Sequence, residues 1–126
     1  MKKTSIHSDK APAAVGPYSQ GIVANGFLYT SGQLPIDPET GSMPEGNIEV
    51  RAHQVFKNLA AIAEKAGTTL NNAVKTTVFL ANIADFQAVN TVYQQYFSEP
   101  FPARSAFQVA ALPLGADIEV EAVFVL

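Results

Sequence analysis

Ile48, Ala52, Val55, Leu59, Ile62 and Ala66 recur at alternating steps of four and three, the spacing of one helical face. Phe56 and Ala63 widen that stripe. Glu45 and Glu49 stand at its start, Lys65 at its end and Gly67 just beyond. Acid first, base last and a glycine after the last turn match the helix dipole and a C′ position. Upstream, Ile22-Val23-Ala24 and Phe27-Leu28-Tyr29-Thr30 flank Asn25-Gly26, which predicts a hairpin, because a type I′ turn needs positive φ twice. Pro35 to Gly46 is rich in turn residues and reads as a surface loop. Val74 to Leu80 alternates in the β manner.

Asn82, with Asp85 three residues on, resembles a capping arrangement. It predicts a second helix with Phe86, Val89, Tyr93 and Tyr96/Phe97 as its stripe, ended by Pro100 and Pro102. Arg104 to Ala111 reads as a strand, Leu112-Pro113-Leu114-Gly115 as a turn, and Ile118 to Val125 as a strong last strand. In that strand Ile118, Val120, Ala122 and Phe124 share one face. The order is hairpin, helix, strand, helix, strand, strand. This predicts an α+β domain of five or six strands with both helices on one sheet face. The other face, holding Glu119, Glu121, Val123 and Val125, has no helix to cover it and invites a subunit partner.

Composition narrows the function classes. The chain has 126 residues, one domain's worth with enough core to fold unaided. Only 15% of residues are charged, against about 25% in an average soluble chain, which again suggests surface hidden in an oligomer. A net charge of −3 and a pI near 5.2 argue against an electrostatic nucleic-acid binder. With no cysteine, disulfides, thiolate metal sites and cysteine nucleophiles are all excluded. His7 and His53 are the only histidines, too few for a histidine-rich metal site. Ala11 to Ile36 carries no charge, but its prolines and glycines forbid a spanning helix, so it reads as buried or interfacial. The start lacks the apolar run of a signal peptide, and a cytoplasmic protein is expected.

Few residues offer chemistry. Arg104, one of two arginines, opens an apolar strand. Pointing inward, it would need an anion that fits its fork; otherwise it lies in solvent or pairs with Glu119 or Glu121. Those glutamates are two apart on a strand and share a face, either as a water-handling pair or as a solvated one. Asn90 sits on the apolar stripe between Phe86 and Tyr93 and must find partners, with backbone favoured over a ligand. Tyr18 follows Gly16-Pro17, and core packing is its plain reading. Ser31-Gly32-Gln33 offers backbone N–H groups to an anion. His53 reads as structural, and Ser105 has no partners for a hydrolase triad.

Four blocks carry a wider resemblance. They are Gly16-Pro17-Tyr18-Ser19-Gln20, Leu28-Tyr29-Thr30-Ser31-Gly32-Gln33-Leu34-Pro35, Phe101-Pro102-Ala103-Arg104-Ser105 and Ile118-Glu119-Val120-Glu121-Ala122. In order and spacing, over residues 1–126, the chain resembles the reactive intermediate deaminase A family, also called the YjgF or endoribonuclease L-PSP family. The resemblance implies a single chorismate-mutase-like α+β domain, a homotrimer with clefts between subunits, and cofactor-free hydrolysis of 2-imino acids such as 2-iminobutanoate and 2-iminopropanoate to 2-keto acids and ammonia. It implies that Arg104 holds the substrate carboxylate and that Glu119 stands near the attacking water. Tyr18, Ser31, Gly32 and Asn90 match pocket positions. Where the family often has cysteine, two residues after the arginine, this chain has Ala106. Two other readings remain: a non-catalytic small-acid-binding or chaperone-like trimer, and a single-stranded RNA endonuclease or translation inhibitor, against which the acidic pI counts. No metal, nucleic acid or membrane is expected to take part.

Overall fold

The computed structural model describes residues 2–126. Eight main elements follow in order: β1 (Lys3–Ile6), β2 (Gly21–Ala24), β3 (Phe27–Thr30), α1 (Ile48–Lys65), β4 (Ala73–Leu80), α2 (Phe86–Tyr96), β5 (Ala103–Gln108) and β6 (Ile118–Val125). The six strands form one sheet in the order β1-β2-β3-β6-β4-β5. β4 and β5 run parallel and every other pair is antiparallel, so the sheet is mixed. The parallel pair is joined through α2, as parallel strands require a crossover.

The hairpin forms where expected, with Asn25 at φ 53° and Gly26 at φ 83°, the two positive φ values of a type I′ turn. α1 begins at Asn47, whose side chain accepts from the Val50 N–H. It closes in a Schellman motif: the Gly67 N–H bonds Glu64 O and the Thr68 N–H bonds Ala63 O, with Gly67 at φ 86°. Ala52, Val55, Phe56, Leu59, Ile62 and Ala63 are all fully buried. They pack under Leu28, Val78, Leu80, Ile118, Val120 and Phe124 on the sheet. Each of the valine, leucine, isoleucine and phenylalanine side chains contributes about 1.5–3 kcal/mol by leaving water.

Three expectations change in detail. β1 was not anticipated: Lys3-Thr4-Ser5-Ile6 has no β alternation, and pairing with β2 holds it in place. The strand expected over Arg104–Ala111 ends at Gln108, where its parallel pairing with β4 stops. Asn82 does act as a cap, accepting from the Ala84 N–H, but it caps a single 3₁₀ turn that leads into α2. No helix among the described residues is long and apolar enough to cross a membrane.

The sheet alternation decides where chemistry can occur. Thr76 faces the helices, its hydroxyl 2.7 Å from that of Tyr93 on α2. Its neighbour in register is Arg104, so Arg104 also lies on the helix side. Phe79 and Glu119 are register partners of the opposite parity, so Glu119 lies on the uncovered side. That side also carries exposed Tyr29, Phe107 and Val125.

Candidate functional site

Glu119 sits on β6 beside the segment that leaves β3. Gln33 is strapped to the same strand by two backbone bonds with Val120, of 2.8 and 3.1 Å. This brings Gly32 against the Glu119 side chain. A Cβ at Gly32 would collide with Oε2 and lie 2.8 Å from Cδ, so a side chain here would push the flexible end of Glu119 out of its present position. Ser31 is held from both sides: its N–H bonds Gln20 O and its hydroxyl donates to Ser19 O at 2.6 Å. With Gln33 N–H also taken, only the Gly32 N–H of this turn lacks an acceptor among the described residues. Of the backbone N–H groups that Ser31-Gly32-Gln33 was expected to offer an anion, two are thus taken within the chain. Tyr18 is half exposed, and its hydroxyl accepts from the Val15 N–H at 3.4 Å, so it packs no core.

These residues line a cavity of about 480 Å³ together with Pro12, Val15, Leu34, Ile36 and Leu114. Burial holds the Glu119 carboxyl above the ordinary glutamate range, and the like charge of Glu121 adds to the shift. Leu114 has φ 59° and ψ 23°, a left-handed conformation that costs a residue with a Cβ about 1–2 kcal/mol.

Two buried amides build the walls, and neither was anticipated from the sequence. Gln20 accepts from the Ser8 N–H at 2.6 Å and donates to the carbonyls of Ser8, Ala11 and Pro12. It thereby folds the stretch before Val15 onto the sheet. Asn58, fully buried on α1, donates to Leu34 O and Ile36 O at 3.1 and 3.0 Å. Its position inside the stripe of Val55, Leu59 and Ile62 was the signal: a polar residue on a buried helical face must serve a nearby backbone. His53 is structural as expected, bonded to the Tyr96 hydroxyl at 2.8 Å.

Arg104 forms a second, separate cluster on the other side of the sheet. Its Nη1 donates to Asn90 Oδ1 at 2.8 Å, and its guanidinium carbon lies 4.8 Å from the Tyr93 ring centre and 5.3 Å from that of Phe86. Asn90, Tyr93, Gln94, Phe101, Pro102 and Arg104 line a cavity of about 420 Å³. The favoured backbone partner for Asn90 is thus replaced by a side chain. The alternative pairing of Arg104 with Glu119 or Glu121 does not occur: the ion pairs among the described residues are His7–Asp9 and Arg51–Asp117. Arg104 is left with an oriented fork and no anion. Tyr93 beneath it has its phenol pushed up by burial, opposed by the Thr76 bond and the Arg104 charge. One chain therefore brings together Tyr18, Ser31, Gly32 and Glu119, and separately Asn90 with Arg104, with the sheet between them.

Comparison with known proteins adds an independent line. The family described as Endoribonuclease L-PSP matches residues 8–126. A human protein named 2-iminobutanoate/2-iminopropanoate deaminase is 50% identical over 118 residues, covering 94% of this chain and 86% of its own. The crystal structure of a Yersinia pestis protein of the conserved Rid family superposes with a TM-score of 0.96 at 48% identity, covering 99% of this chain and 100% of that one. The crystal structure of Escherichia coli TdcF with bound serine gives 0.92 at 36% identity, covering 98% of each chain.

Proposed function

The chain belongs to the endoribonuclease L-PSP family, and from that membership we propose that it is a cofactor-independent 2-iminobutanoate/2-iminopropanoate deaminase. The observation that carries this reading is the unmatched fork of Arg104, oriented by Asn90 and two aromatic rings and paired with no acid. A planar guanidinium fits a carboxylate by two parallel bonds, and a 2-imino acid presents one next to its electrophilic carbon. The serine bound to the TdcF relative is also a small carboxylate bearing nitrogen at the adjacent carbon.

Glu119 supplies the second function. A carboxylate whose proton affinity is raised by burial is a better base for water than an ordinary one. Water adds to the imine carbon, forming a C–O bond as the π pair moves to nitrogen. Glu119 takes the proton from that water and returns it to nitrogen. The hydroxyl of this carbinolamine then gives its proton, by way of Glu119, to the same nitrogen; as the C=O bond forms the C–N bond breaks, ammonia leaves and the keto acid remains. Orientation supplies much of the rate, since free imines already hydrolyse in water. The Gly32 N–H is available to a substrate oxygen.

The substrate's carboxylate and imine carbon are directly bonded, whereas Arg104 and Glu119 face opposite ways from the sheet. On opposite faces of one sheet their side chains point away from each other, so no single copy can serve both ends. We therefore place the working site between copies, Arg104 from one and Glu119 from the next, in the homotrimer that the family resemblance implies. The open sheet face with Tyr29, Phe107 and Val125 supplies apolar surface for that contact.

The test generates 2-iminobutanoate in place with a threonine dehydratase and traps it with semicarbazide. An active protein diverts the imine to 2-oxobutanoate and lowers semicarbazone formation. No diversion at micromolar protein refutes the activity, and sedimentation equilibrium showing only monomer refutes the assembly.

A further inference from the structure

The two most exposed large apolar side chains of the described residues are Val15, 82% exposed, and Leu114, 74% exposed. Single exposed apolar residues are ordinary. These two line the same cavity, the one that holds Glu119. Leu114 does so from a left-handed backbone position that glycine or asparagine would occupy at lower cost. Neither side chain joins the core of its own chain.

The cavity is also larger than the smallest substrates need. At a full water's share of about 30 Å³ per heavy atom, the seven heavy atoms of 2-iminobutanoate fill less than half of the ≈ 480 Å³. The rest is bounded by Ala13, Leu34, Ile36 and Pro113 as well as Val15 and Leu114, and this chain adds no cation to it. With the neighbouring copy's Arg104 taken up by the substrate carboxylate, an acidic side chain would meet Glu119 without compensation, whereas an apolar one would meet apolar walls.

We propose that Val15 and Leu114 clamp the substrate's side chain, so that this chain selects 2-imino acids with long or branched apolar side chains over 2-iminopropanoate. The proposal rests on the deaminase reading and deepens it by naming the preferred substrate class. One methylene in an apolar pocket changes discrimination by roughly 10- to 200-fold, so loss of a leucine side chain should be easily read.

The experiment compares kcat/KM for imines made in place from leucine and from alanine by an amino-acid oxidase, with semicarbazide competition. The wild type should favour the leucine-derived imine. That preference should fall about tenfold in Leu114→Gly and in Leu114→Asn, both compatible with the backbone there, and also fall in Val15→Ser. Val50→Ser, an exposed apolar residue outside the cavity, should keep the wild-type ratio. Calorimetric binding of 4-methyl-2-oxopentanoate against 2-oxopropanoate reads the same preference without turnover. If imine turnover is absent but this binding preference exists and is lost in the Leu114 variants, the deaminase reading fails and the clamp stands. An unchanged ratio in both assays overturns the clamp. So does dissociation of the assembly by Leu114→Asn, which would make the rim a contact between copies.

Discussion

Replacing Arg104 by alanine separates a binding role from a structural one. Arg104 is exposed on the edge strand β5. It makes one side-chain hydrogen bond, to Asn90, and lies over Tyr93 and Phe86. Exposed cation–π contacts are worth about 0.5–1 kcal/mol. Arg104→Ala should therefore lower stability by about 1 kcal/mol, roughly 4 °C in Tm for a chain of this length. The same change removes a cation that Asn90 orients beside a cavity and that no acid pairs. Loss of a charge pair whose partner becomes desolvated costs about 2–5 kcal/mol, or roughly thirty- to several-thousandfold in kcat/KM at 1.36 kcal/mol per decade. The two magnitudes differ enough to be told apart. Imine competition kinetics and thermal melts on Arg104→Ala and Arg104→Lys provide the comparison. Lysine should recover only part, being a point charge without the fork. Wild-type kcat/KM in a folded Arg104→Ala protein would refute the anchor. So would activity that falls only in step with Tm.

Three further outcomes follow from the geometry. The Glu119 carboxyl is raised above its unfolded value by burial and by Glu121, so its protonated form favours folding and that contribution is lost as pH rises through the raised value; Glu119→Gln should therefore raise Tm at neutral pH, gain nothing in acid, and abolish the ascending limb of the pH–rate profile. Asn58→Leu strips donors from the carbonyls of Leu34 and Ile36 and should cost about 2–6 kcal/mol in urea unfolding, at about 1–3 kcal/mol per buried group left unsatisfied. Gly32→Ala forces the flexible end of Glu119 aside, so urea unfolding should change by less than about 1 kcal/mol while kcat on 2-iminobutanoate falls at least tenfold; unchanged kcat would mean that the Glu119 position is immaterial.

Local chemistry explains what could be read from the chain. The Asn25-Gly26 turn, the span of α1 and the whole of β6 were visible because each is specified by its own residues: positive φ, a helical period, a two-residue period. β1 was hidden because pairing with β2 rather than alternation supports it. Gln20 and Asn58 act on backbone 8 to 24 residues away, and only Asn58 left a trace, as an amide on an apolar stripe. Asn90 was seen on its stripe, but its partner Arg104 comes from a strand whose distance from α2 the sequence does not state. The division of Arg104 from Glu119 needed the register of β4 against both β5 and β6. That register is a tertiary fact, and without it the two residues read as neighbours in one pocket.

The opposed facing of Arg104 and Glu119 has a genetic consequence. If each working site takes its arginine from one copy and its glutamate from the next, two inactive chains can repair one another. An assembly mixed from Arg104→Ala and Glu119→Gln chains contains contacts at which the intact arginine of one allele meets the intact glutamate of the other. With random mixing in equal amounts around a closed ring, roughly a quarter of contacts are of that kind. Two null alleles expressed together would then regain about a quarter of the activity, while neither does so alone. A site contained within one chain would show no such complementation.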